Sequence, residues 1–156
     1  MSRKTTNVST GCLVIGGAGN LGSHIVRLLL ERGEQVSTLD LTAYTGERQA
    51  EVTSYTGDIT DPTALEGAMV GVGTVFHTAS IIDIKPIPTL KMTHVNVTGT
   101  ACIIAAAKAA KVSTLIYTAS LEVVSGCDEN GVSRKLDGID ESAPIPAQHH
   151  LPYATT

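Results

Sequence analysis

Early in the chain a short apolar run, Cys12 to Ile15, opens directly into Gly16-Gly17-Ala18-Gly19-Asn20-Leu21-Gly22, and helical periodicity begins at once after it. No other feature limits the possible folds as tightly. A buried strand that must turn sharply into an amphipathic helix needs glycine at defined points, and the glycines at 16, 19 and 22 meet three separate needs. Gly16 permits the tight turn, Gly19 lets another group approach the backbone, and Gly22 lets the helix pack close to the strand layer. The helix start leaves amide groups without intrahelical partners and carries a partial positive charge, so the turn suits a bound phosphate.

The rest of the chain repeats the alternation. Helical spacing of Leu21, Ile25, Leu28 and Leu29 predicts a helix from Asn20 to about Arg32, with Gly33 as its stop. Strands are expected at Gln35 to Asp40, Glu51 to Tyr55, Gly73 to Ala79 and Ser113 to Thr118. Asp61-Pro62 reads as the N-cap and first position of a short helix through Met69, and a long helix is expected from Thr89 to Ala110. Strands that alternate with helices form a parallel sheet with right-handed crossovers. Their near-continuous apolar character requires helices on both faces. The predicted fold is therefore α/β, a doubly wound parallel sheet of about five strands in the order 3-2-1-4-5, one domain over the whole chain. From residue 121 onward glycines and prolines dominate, and the segment to residue 150 reads as a long loop of the kind that carries function.

Asp40 ends the second expected strand, about 20 residues beyond the glycine turn, where dinucleotide-binding sheets place the acid that holds the adenine ribose. Its carboxylate can accept from both ribose hydroxyls and would repel a 2′-phosphate, so the expected cofactor is NAD rather than NADP. A net charge of −4 with no basic run excludes a nucleic-acid surface. Three widely spaced cysteines, Cys12, Cys102 and Cys127, suggest neither a disulfide framework nor a metal site. Met1 to Thr10 is polar, and no apolar run reaches the roughly 18 residues of a membrane span. A reduced, cytoplasmic setting is the expectation. An open sheet edge after the fifth strand would favour self-association into a homo-oligomer.

In order and spacing, several strings resemble the extended short-chain dehydrogenase/reductase superfamily, and within it the 3β-hydroxysteroid dehydrogenase/isomerase family. They are Gly16 to Gly22, Gly57-Asp58-Ile59, Val75 to Asp83, Val95 to Thr100, Tyr117 to Val123, and Pro152-Tyr153. The resemblance implies that Asp58 and Ile59 flank the adenine and that Thr78, Ala79 and Ser80 lie beside the cofactor. It also implies that Asn20 and Leu21, within the glycine turn, belong to the cofactor site. His77 reads as a packed strand histidine rather than a ligand, and His149 and His150 as exposed loop residues. Asn96 falls inside the expected long helix, a poor place for Asn. In the superfamily the matching Asn supports the active site, whereas without the resemblance it would simply face solvent.

The resemblance further implies a catalytic pair. Tyr153, expected on the next helix, acts as general acid or base on a substrate hydroxyl or carbonyl and also contacts the cofactor, while Ser120 hydrogen-bonds the same oxygen. In the family a Lys one helical turn after the Tyr lowers the phenol's pKa and holds the nicotinamide ribose. Here that position falls just beyond Thr156. The expectation is thus an NAD-dependent oxidoreductase of a hydroxysteroid-like or other secondary alcohol, represented by a portion cut before the Lys and the substrate-binding region. A non-catalytic dinucleotide-binding protein, a sensor or partner subunit, is the alternative.

Overall fold

The computed structural model describes residues 11–83, 87 and 89–156. The N-terminal stretch read above as polar, Met1 to Thr10, lies outside the described residues. Five strands form one sheet: β1 (Gly11–Ile15), β2 (Val36–Asp40), β3 (Val52–Thr56), β4 (Val72–His77) and β5 (Thr114–Tyr117). Every pairing is parallel and the order is β3-β2-β1-β4-β5, as the alternation of elements predicts.

The helices cover the two faces unequally. On one face lies α1 (Asn20–Glu31), where Val26, Leu29 and Leu30 pack with Cys12, Val14 and Val36. On the other lie α2 (Pro62–Ala68) and α4 (Thr100–Ala109), whose Leu65, Ala68, Ile103 and Ala107 close over Leu13, Ile15, Leu39 and Val75. Alternate residues of β1 thus belong to opposite clusters, the period-two signature of a strand buried on both sides.

Element ends follow local chemistry. Asp61 caps α2, its carboxyl accepting from Thr63 N at 2.9 Å, and Pro62 stands at the first helical position. Gly33 ends α1 with φ +76°. The expected helix from Thr89 to Ala110 is present but not uniform. It starts as α3 (Leu90–Thr93), widens into a π-helical turn over His94–Gly99, and resumes as α4. Its buried face nevertheless runs through Met92, Asn96, Gly99, Ile103 and Ala107. Two strands end earlier than expected. β4 stops at His77 and β5 at Tyr117, because the following threonines turn away to staple neighbouring strands. Thr78 donates both its amide (2.9 Å) and its hydroxyl (2.8 Å) to Ile15 O, and Thr118 does the same to His77 O at 3.1 and 3.0 Å.

Glycines at two helical positions differ sharply in what they permit. A Cβ on Gly22 would stand 2.1 Å from the carbonyl oxygen of Gly16, whereas one on Gly67 would meet nothing within 4 Å. Gly22→Ala should therefore cost at least about 2 kcal/mol, since backbone must shift to admit the methyl group. Gly67→Ala should gain about 0.5–1 kcal/mol through unfolded-state entropy and helix propensity. Urea denaturation of the two variants beside the parent chain checks both signs.

Candidate functional site

The carboxyl ends of β1, β2, β3 and β4 open onto a cavity of about 440 Å³. From the glycine turn it is lined by Gly16 and Gly19, from β2 by Leu39, Asp40 and Leu41, and after β3 by Gly57, Asp58 and Ile59. Thr78, Ala79, Ser80 and Ile81 follow β4 along its floor, and Lys91 and Val95 close it from the helical side. Ligands in open α/β sheets bind at this edge, where the strand order reverses.

Each glycine of the turn is used differently. Gly16 has φ +86°, and a Cβ there would stand 2.7 Å from the amide of Ala79, so the turn needs glycine both for its conformation and for its approach to β4. Gly19 is exposed, lines the cavity and serves as the N-cap of α1 without any side-chain capping bond. The first amide to bond back along the helix is Ser23 N, to Gly19 O at 2.9 Å. Asn20 and Leu21 are exposed and Gly22 is buried, and none of the three lines the cavity with its side chain. What they can offer a ligand is backbone amide at an open helix start.

Asp40 does more than its place at a strand end suggests. One carboxylate oxygen accepts from Ala18 N at 3.0 Å and the other from Leu41 N at 2.7 Å. The acid thus ties β2 to the glycine turn. A carboxylate has about four acceptor positions, so each oxygen keeps capacity for a ligand hydroxyl. Asp58 accepts from the amide (2.9 Å) and hydroxyl (2.8 Å) of Thr60, both on one oxygen, and these bonds hold its carboxyl below the usual carboxylate range. It is therefore a turn-forming residue that also lines the cavity. Ile59 is buried beside it, against Gly99 of the π-helical turn.

A second cavity, of about 160 Å³, adjoins the first and shares Ser80 with it. Asn96, Ser120 and Tyr153 all line it. Ser120 caps a short 3-10 turn, Leu121–Val124, by accepting from Glu122 N at 3.2 Å. Tyr153 sits on a 3-10 turn, Pro152–Thr155, with Pro152 at its first position. Asn96 is 5% exposed, and its amide is saturated. Its oxygen accepts from Ile81 N (2.9 Å) and Ser80 Oγ (3.4 Å), and its nitrogen donates to Ile81 O (2.9 Å) and Thr156 Oγ1 (3.1 Å). A solvent-facing Asn is thereby ruled out. Thr156 in turn donates to Tyr153 O at 2.9 Å, so one buried amide links the end of β4 to the Tyr153 turn. Helix propensity argues against Asn at this point, but four satisfied bonds outweigh it.

Sequence reasoning missed Lys91, Ile81 and Val95 as cavity residues. A Lys in the first turn of a helix carries no periodic signal and reads as solvated surface. His77 behaves as expected of a packed strand residue: it is fully buried, with Nε2 2.9 Å from Thr100 Oγ1 and its ring 5.0 Å from that of Tyr117. His149 is not free in its loop, since its Nδ1 lies 3.1 Å from Ser125 O. No helix among the described residues is long and apolar enough to cross a membrane.

The parallel order, the glycine turn at the start of α1 and the cavity over the strand ends define a Rossmann-type α/β domain. The chain belongs to the 3-beta hydroxysteroid dehydrogenase/isomerase family, whose model matches residues 13–156. It is 38% identical to a 3-beta-hydroxysteroid dehydrogenase of Mycolicibacterium neoaurum, covering 92% of this chain and 39% of that protein. It is 37% identical to mouse 3 beta-hydroxysteroid dehydrogenase type 7, covering 90% of this chain and 40% of the relative. Among solved structures, a short-chain dehydrogenase/reductase superfamily protein from Agrobacterium tumefaciens with bound NAD superposes with a TM-score of 0.75 at 29% identity, over 92% of this chain and 40% of that one. Thermus thermophilus UDP-glucose 4-epimerase in complex with NAD gives 0.72 at 29% identity, over 92% of this chain and 46% of the other. The chain thus spans about two fifths of the length of the dehydrogenases it matches.

Burial pushes the His77 imidazole down from 6.5 to about 4. Between those values the unfolded chain binds a proton that the folded chain does not, so stability is fully present above pH ~6.5 and falls as the pH drops toward 4. The loss should amount to as much as ~3 kcal/mol. Urea denaturation between pH 7 and 4 should show this slope in the parent chain and a clearly shallower one in His77→Gln.

Proposed function

We propose that this chain is the NAD(H)-binding portion of an oxidoreductase that interconverts a secondary alcohol and a ketone on a hydroxysteroid-like substrate. One observation carries the reading: the glycine turn, Asp40 and the Asp58-Ile59 pair, scattered along the sequence, meet in one cavity, and Ser120 and Tyr153 line the cavity beside it. The larger cavity fits a dinucleotide on three counts. Gly19 leaves the turn open where a side chain would intrude, α1 begins with no side chain capping its amides, and Asp40 retains acceptor capacity at the end of β2. The two solved relatives named above both hold NAD.

In this reading Asp40 accepts from the adenine ribose, Asp58 and Ile59 flank the adenine, and the amides of Asn20, Leu21 and Gly22 face the pyrophosphate. Thr78, Ala79 and Ser80 form the floor near the nicotinamide half. Thr78 supports that floor through the backbone, since its hydroxyl is committed to Ile15 O. When bound, NAD supplies the hydride acceptor or donor. The protein's own part lies in the smaller cavity. There Ser120 and Tyr153 hold the substrate oxygen, and the phenol gives or takes its proton. Asn96 fixes the backbone at Ile81 and, through Thr156, the turn that carries Tyr153.

Isothermal titration calorimetry tests the cofactor assignment. NADH should bind at least about tenfold more tightly than NADPH, because a 2′-phosphate would meet the Asp40 carboxylate with like charge. Asp40→Ala would confound that comparison by also releasing Ala18 N and Leu41 N. Asp40→Asn removes the charge and keeps one of the two acceptor oxygens, so it releases only one of those amides, and it should narrow the preference to a few-fold. Equal or tighter NADPH binding by the parent chain would overturn the role given to Asp40.

Gly19→Val provides a second check. It places a branched side chain in the space assigned to the pyrophosphate, so NADH binding should fall below detection. The circular dichroism spectrum should stay that of the parent, with a small loss in melting temperature, since Gly19 is exposed but a Cβ there stands 3.2 Å from Gly16 O. Normal NADH binding by this variant would mean that the phosphates are held elsewhere.

A further inference from the structure

We propose that Lys91 is the cationic half of the phosphate site, with its ammonium group reaching the cofactor's diphosphate from the side opposite the glycine turn. The inference rests on the reading of the larger cavity as a dinucleotide site and adds a residue to it. α1 packs on one face of the sheet and α4, continuous with the turn that bears Lys91, on the other. A ligand lying across the strand ends would therefore have the start of α1 on one side and the Lys91 side chain on the other. Gly19 approaches from the first side and Lys91 from the second, and both line the same cavity.

The first turn of α3 is fixed in place. Thr89 Oγ1 accepts from Met92 N at 3.1 Å, and the Met92 side chain is fully buried. Lys91 is adjacent to that anchor yet exposed, so its stem has a defined origin and its ammonium a free reach. It makes no ion pair among the described residues, where the pairs formed are Arg27–Glu31 and Arg48–Glu51.

Charge balance supplies the need. Asp40 and Asp58 bring two carboxylates to the cavity wall, and Lys91 is the one cationic side chain lining it among the described residues. A diphosphate ester adds two further negative charges. The start of α1 offsets only about half a unit charge. Lys91 already stands close enough for its charge, with that of His94, to favour the ionised Asp58 carboxyl. A diphosphate between Lys91 and the α1 amides would have hydrogen-bond donors on both sides, and the ammonium would supply the stronger, charge-assisted bonds.

The test compares the parent chain with Lys91→Gln and Lys91→Arg, using NADH and ADP by calorimetry and adenosine by NMR titration. Lys91→Gln should weaken NADH and ADP by about tenfold at low salt, and by less as added salt screens the exposed charge. Adenosine, which lacks phosphate, should change less than about twofold, and Lys91→Arg should stay within about threefold of the parent for all three ligands. If Lys91→Gln binds NADH like the parent, or loses adenosine as much as ADP, the role given to Lys91 is wrong while the dinucleotide reading stands. If the parent chain binds neither NADH nor ADP, the dinucleotide reading falls and the Lys91 proposal falls with it.

Discussion

Everything at the proposed site depends on how closely α1 approaches the turn that precedes it. Gly22 brings the first turn of the helix to within a distance of Gly16 that no side chain would allow. Asp40, from the neighbouring strand, then holds the turn by accepting from Ala18 N. The helix start is thereby set above the β1 end at a fixed height, with its amides unspent. Any loosening of this contact would move the helix dipole, the exposed Gly19 backbone and the Asp40 carboxylate together. The glycine turn and the acid are one mechanical unit here.

The other wall is built by a different device. At the ends of β4 and β5, threonines donate amide and hydroxyl to the last carbonyl of the adjacent strand. This stops each strand at its last pair and turns the chain outward, so Ala79 and Ser80 form a floor rather than continue the ladder. Asn96 then secures that floor from above. Because both its oxygen and its nitrogen bond to Ile81, the segment after β4 is fixed as firmly as a strand while remaining outside the sheet. The wider π-helical turn places this amide on the buried face, where an Asn would otherwise be costly.

Much of this was legible in the sequence, for reasons that can be named. Strand order, the extent of α1 and the cap at Asp61 follow from the alternation of elements, from helical periodicity and from Asp-Pro chemistry, but the buried face of α1 does not. Of the expected stripe Leu21, Ile25, Leu28 and Leu29, Leu21 and Leu28 are exposed, and Val26 and Leu30 are buried beside Leu29 because the helix turns that side to Cys12, Val14 and Val36. Gly16 and Gly22 could be assigned distinct roles because each removes a different steric conflict, Gly16 with Ala79 and Gly22 with the carbonyl of Gly16. The uneven long helix was not legible, since nothing in Met92 to Thr100 distinguishes a π turn from α-helix until the partners of Asn96 are known. Asp40 was placed correctly at its strand end, but its bonds to Ala18 and Leu41 depend on the sheet bringing distant residues together. Lys91 left no trace, because its importance lies in which cavity it faces, and that is a property of the fold.

The two cavities meet at Ser80, and this junction explains why a short segment after β4 has to be so rigid. Its backbone lies on the boundary between the larger cavity, which would position one reactant, and the smaller one, where Ser120 and Tyr153 would position the other. Transfer between two bound groups is sensitive to displacements of an ångström or less. Loops at such places are ordinarily the mobile parts of a domain. Here the segment is fixed at one end by Thr78 on Ile15 and at the other by Asn96 on Ile81, with Ser80 between them. Asn96 reaches through Thr156 to the Tyr153 turn as well, so a shift of the floor would carry the tyrosine with it. One amide thus ties both walls of the junction together, and under the proposed function Ser120 and Tyr153 would work against a cofactor in the larger cavity only if that register holds.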